Sequence, residues 1–205
     1  MDAIFGNLRN TVIVGFVLAG LMFLLYLHVT GYDANTFWLF FMRWMHVISG
    51  IMWIGLLWYF NFVQTPTMPK IPAELKGGVS KFIAPEALFW FRWSAMSTLV
   101  FGVGLAAMNG YLVDAYTLDA TQNFTVPKNI DIGIGMWLAT YMWFNVWFVI
   151  WPNQRKALNI GNAFPDLAQP DRDRAAKAAG RFSRINTMLS VPMLFCMVGA
   201  SHLFA

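Results

Sequence analysis

Five long stretches of this chain carry no Asp, Glu, Lys or Arg: 11–27, 44–69, 93–113, 132–154 and 185–205. A helix needs about 20 apolar residues to cross a hydrocarbon layer about 30 Å thick, and each stretch is long enough to do so. Water is absent from that layer, so every backbone N–H and C=O must be satisfied within the segment, which predicts helices. A β-barrel would instead show short segments of alternating polarity.

The expected fold is therefore an all-α integral membrane bundle of about five transmembrane helices. It forms one domain over 1–205, with spans near 11–29, 38–63, 88–110, 132–151 and 185–204 and cytoplasmic loops at 64–87 and 152–184. Composition agrees. Hydrophobic residues make up 58% of the 205 and charged residues 12%, against roughly a quarter charged in an ordinary soluble domain. The segment after the first span, His28-Val-Thr-Gly-Tyr-Asp-Ala-Asn, offers no small-x-small cleavage pattern, so that span is expected to remain as a helix and not to be a removed leader.

Lys and Arg in the connections give the orientation. Arg9 precedes the first span, Lys70, Lys76 and Lys81 lie between the second and third, and seven basic residues lie between the fourth and fifth. Eleven of the 14 basic residues thus share one side, which predicts a cytoplasmic N-terminus and a periplasmic C-terminus. The net charge of +4 follows from this topology and implies no nucleic-acid partner. In the two loops, Pro66, Pro69, Pro72 and Gly77-Gly78 suit a folded-back connection, and Pro170-Asp171 opens a short capped helix whose basic residues are expected to meet lipid headgroups. The single cysteine, Cys196, excludes an intrachain disulfide and a Cys-x-x-Cys-His attachment site for c-type haem.

Ionisable side chains inside a span are costly and point to function. The predicted topology places all three histidines, His28, His46 and His202, in the external half. His46 sits deep in an uncharged run, with Gly50 one turn on and Trp53 seven residues on, so its face offers a gap and a flat wall. His202 follows the small residues Gly199-Ala200-Ser201. Small residues beside two imidazoles would let a planar macrocycle approach the backbone, so His46 and His202 are candidate axial ligands of haem b. Hydrogen bonding to a neighbouring helix is the plainer alternative for each, and an interfacial position is the plainer one for His28. Arg43 either pairs with a haem propionate or anchors its helix in headgroups. Arg92 is expected to snorkel to the cytoplasmic interface, and Asn61, Asn145 and Asn186 to bridge helices.

Four strings carry a family resemblance: Arg43-Trp-Met-His-Val-Ile-Ser-Gly-Ile-Met-Trp-Ile-Gly, Phe89-Trp-Phe-Arg-Trp-Ser-Ala-Met-Ser-Thr, Asn145-Val-Trp-Phe-Val-Ile-Trp-Pro-Asn-Gln-Arg-Lys, and the run from Arg184 to His202. In order and wording they resemble the membrane domain of the bacterial cytochrome-c-linked urate hydroxylase family, also called the urate oxidase N-terminal family, shortened and without its cytochrome c domain. The resemblance implies an oxidoreductase of the bacterial inner (cytoplasmic) membrane, multi-pass, with His46 and His202 on the histidines of the family's motifs. It departs from the family at Ser94-Ala95, where an acidic residue is expected, and at Ser201, where Asn is expected. A weaker likeness, in the pattern of His, Trp and Pro, connects the chain to small membrane haem proteins that oxidise protoporphyrinogen.

The expected function is haem b-dependent electron transfer or oxidoreduction within the lipid bilayer, with a separate cytochrome c or other electron carrier as partner. The alternatives are a non-catalytic accessory subunit of a larger membrane complex and, third, urate hydroxylation itself. Catalytic residues are not assigned. His46, His202, Arg43, Gly50, Trp53 and His28 are the candidate cofactor-binding residues.

Overall fold

The computed structural model describes residues 2–204; Met1 and Ala205, the two ends of the expected domain, lie outside the described residues. Among those residues there is no strand. Five helices are long and apolar enough to cross a membrane: α1 (Leu8–Thr30), α2 (Ala34–Lys70), α3 (Lys76–Met108), α4 (Pro127–Leu158) and α5 (Gln169–His202). Residue contacts divide the chain into two compact units, 1–40 and 41–205, where the sequence suggests one.

In the first unit α1 begins at Asn7, whose side chain accepts from the Arg9 N–H at 2.9 Å, and ends at Gly31, where φ is +78°. None of its residues is buried. An apolar helix without a buried face matches a lipid environment and no aqueous one. Phe23 contacts Phe37 with ring centroids 4.9 Å apart. Asp33 accepts the Thr36 N–H at 2.7 Å, an N-cap that opens α2 and holds the Asp33 carboxyl below its ordinary range.

In the second unit the helices run past the uncharged stretches because prolines do not stop them. Proline lacks an N–H and its ring collides with the carbonyl four residues earlier. Here three helices widen into a π-helical segment just before the proline: Tyr59–Gln64 before Pro66, Val79–Ile83 before Pro85, and Asn145–Ile150 before Pro152. The colliding carbonyls, on Phe62, Lys81 and Phe148, all fall in those wide turns, where the extra residue moves them clear of the ring. The expected loop 64–87 accordingly shrinks to residues 71–75 between α2 and α3.

The loop expected at 152–184 shrinks likewise, to residues 159–168. What reads in sequence as a short capped helix is the opening of the 34-residue α5. Arg172, expected at the lipid headgroups, is committed to the chain itself. It donates to the Phe164 carbonyl at 2.6 Å and the Leu167 carbonyl at 3.0 Å, pinning the connection.

The most extensive helix contact joins α4 and α5. Gly135 lets the backbones approach: a Cβ there would lie 2.9 Å from Cys196 Cβ, the close packing that small residues give membrane helices. Asn145 Nδ2 donates to Asn186 Oδ1, and Asn186 Nδ2 donates to the Met142 carbonyl, each at 2.9 Å, with both amides buried. Asn61 Nδ2 donates to Ser183 Oγ at 2.8 Å, tying α2 to α5. All three asparagines thus bridge helices as expected. Around them Trp53, Leu57, Phe91, Met142 and Val146 form the core.

Replacing Asn186 by Leu takes the acceptor from the buried Asn145 amide, while the Met142 carbonyl keeps the Asn145 backbone N–H; leaving one buried donor unpaired costs about 1–3 kcal/mol, above the roughly 0.6 kcal/mol of an average interhelical hydrogen bond in a membrane protein. Thermal unfolding in detergent should show a clear drop for Asn186→Leu and almost none for exposed Met188→Leu. Equal melting of the two variants would remove the asparagine joint from the account.

Candidate functional site

His46 lies on the face of α2 that meets α3. Its Nδ1 is 2.9 Å from the Thr98 carbonyl; a carbonyl only accepts, so Nδ1 carries the proton and donates it. That assignment leaves the Nε2 lone pair uncommitted, the arrangement in which a backbone carbonyl orients a ligating histidine. The ring rests on Gly102, where a Cβ would stand 2.8 Å from Cε1. Gly50 faces Thr98, with its own absent Cβ 3.9 Å from Thr98 Cγ2, and Ser49 pairs with Ser97 at 2.7 Å. Small residues on both helices therefore let the imidazole sit between them.

His202 repeats the pattern within its own helix. Its Nδ1 donates to the Val198 carbonyl at 2.9 Å, again freeing Nε2, but the residue is exposed at the end of α5. No hydrogen bond or contact joins the two imidazoles. His28 is exposed on α1 in the first unit. Trp53 is enclosed in the core at 1% exposure, its Nε1 without an acceptor. Arg43 is exposed and lies close to Tyr111; burial pushes the Tyr111 phenol up and the Arg43 charge opposes that shift. Among the described residues no group of three His, Cys, Asp or Glu side chains is placed to hold a metal ion.

Two charged residues take on significance that the sequence does not announce. Asp131 reads as the boundary of the fourth uncharged stretch. In the structure its carboxylate packs on Gly199, with Oδ2 3.0 Å from the place of a Cβ there and without a hydrogen-bond partner. Gly199 precedes His202 by one helical turn. The signal for this packing was the antiparallel succession of α4 and α5, which sets the start of one beside the end of the other. Arg92 is half-buried and stacks on aromatic rings, its guanidinium carbon 3.8 Å from the Trp151 centroid and 5.1 Å from that of Trp147, a cation–π geometry.

Comparison with curated proteins and with solved structures yields no match. The family model described as urate oxidase N-terminal matches residues 112–205, the region that contains α4, α5, Asp131 and His202. Over these residues, somewhat under half of the chain, it is similar to the urate oxidase N-terminal family.

Proposed function

We propose that this protein is a multi-pass haem b protein of the bacterial inner membrane that passes electrons to a separate carrier such as a cytochrome c. The observation that carries the reading is His46: a histidine inside a span, its Nδ1–H fixed on a backbone carbonyl and its Nε2 left to ligate. His202, with the same Nδ1 pairing, is the candidate for a second axial position. What supports the reading is the donor type: an imidazole with a free Nε2 is a common ligand of haem iron. Bound haem would supply a one-electron couple; the chain supplies the imidazoles, their orientation through Thr98 and Val198, and at Gly102 the seat of the His46 ring. Arg43 is the candidate partner for a propionate.

The inner-membrane orientation rests on charge. Lys70, Lys76 and Lys81 flank the 71–75 connection, and Arg155, Lys156 and Arg172 flank 159–168, so the basic connections occupy the same side in a five-span bundle, with the N-terminus cytoplasmic. A second reading, an accessory subunit of a larger membrane complex, is favoured by α1, an apolar helix none of whose residues is buried. Urate hydroxylation itself draws support from the family match, and Asp131 offers a carboxylate for it.

The test is an absorption spectrum of the detergent-purified protein together with a pyridine haemochrome assay. The expected outcome is haem b in the wild type and its loss in His46→Ala with the fold retained; a folded wild type that takes up no haem sinks the proposal. Gly102→Ala asks the same question of geometry. Its methyl group needs the space of the His46 ring, so haem content should fall severalfold while far-ultraviolet circular dichroism stays unchanged, and unaltered haem content would place the ligand elsewhere.

A further inference from the structure

About five turns along α2 from His46, a cavity of about 170 Å³ opens between the end of α2, the first turns of α3, the end of α4 and the middle of α5. An apolar cavity of about 150 Å³ holds benzene, so this one has room for a single six-membered ring. Phe60, Leu88, Phe91 and Ile150 provide flat and aliphatic walls. The polar lining is specific about what else the occupant carries. Gln64 Oε1 is enclosed and accepts no hydrogen bond, a condition that costs about 1–3 kcal/mol unless a donor arrives.

The neighbouring Asn61 amide cannot serve, because its Nδ2 is already shared between the Leu57 carbonyl and Ser183 Oγ. Ser183, having accepted that bond, keeps its own hydroxyl hydrogen for donation. Gln154 and Arg184 add further donors, and no Asp or Glu lines the cavity. A cation finds no countercharge there. A carboxylate or phosphate brings no hydrogen for Gln64. A hydroxyl on an aromatic ring does both jobs, giving its proton to an amide oxygen and accepting from a donor.

We propose that this cavity binds a phenolic six-membered ring of the hydroquinone type, one hydroxyl donating to Gln64 Oε1 and a hydroxyl oxygen accepting from Ser183 or Gln154. The site is separate from His46 and does not depend on haem. Such rings reach a membrane protein either as lipid-dissolved quinols with an apolar tail or as tail-less phenols from water, and the chemistry recognised is the same.

The experiment is calorimetric titration of the full-length protein in detergent, under anaerobic conditions, with 2,3,5-trimethylhydroquinone. Saturable one-to-one binding is expected, at least tenfold weaker in Gln64→Leu and in Ser183→Ala, and at least tenfold weaker in the wild type for 1,2,4-trimethylbenzene, which lacks the hydroxyls. The hydrocarbon control keeps the test valid if a variant fails to fold. Absence of saturation, or equal binding of the hydroxyl-free ring, overturns the proposal and leaves a water-filled cavity. A decyl-tailed hydroquinone that displaces the tail-less one at lower concentration identifies the lipid as the source; one that displaces it only at higher concentration identifies water.

Discussion

The pair of buried amides between α4 and α5 is the interaction on which the second unit depends. Apolar surface gives membrane helices little reason to prefer one another over lipid, so shape and polar partners decide which helices meet. Asn145 and Asn186 satisfy each other and the Met142 carbonyl, and they do so only in one register. Gly135 brings the backbones close enough for that register. The consequence reaches the end of the pair, where the same register sets Asp131 against Gly199, one helical turn before His202.

A parallel logic operates between α2 and α3. There the small residues Ser49, Gly50, Ser97 and Gly102 make room for one imidazole, and the Thr98 carbonyl fixes its tautomer. The three π-helical segments belong to the same scheme. They let α2, α3 and α4 pass a proline without ending, so the helices extend far enough to enclose a polar cavity at the end remote from His46.

Helix number and the bridging role of the asparagines were legible in the sequence, because both follow from the cost of unpaired polar groups in apolar surroundings. The helix ends were not. Proline and glycine signal a break in water-soluble chains, but a π-helical turn absorbs Pro66, Pro85 and Pro152, and the polar opening of α5 has no feature that separates it from the span it continues into. Arg172 looked like a headgroup ligand because its partners are backbone carbonyls, which carry no sequence signature. His46 stood out in sequence as an ionisable group deep in an apolar run, while its carbonyl partner and its seat on Gly102 depend on the α2–α3 register. Asp131 was hidden for a similar reason: its significance comes from a residue some seventy positions later.

In the proposed topology α4 crosses the membrane, so the connection at 109–126 and the connection at 159–168 lie on opposite sides. Cys196 is buried, and a Cys196→Ser background removes any residual label. Single substitutions Gln122→Cys and Asp166→Cys, both at exposed positions, can then be labelled with a membrane-impermeant maleimide in intact cells and in inverted membrane vesicles. The account predicts labelling of Gln122→Cys only from the outer face and of Asp166→Cys only from the cytoplasmic face. Labelling of both from the same face would contradict it.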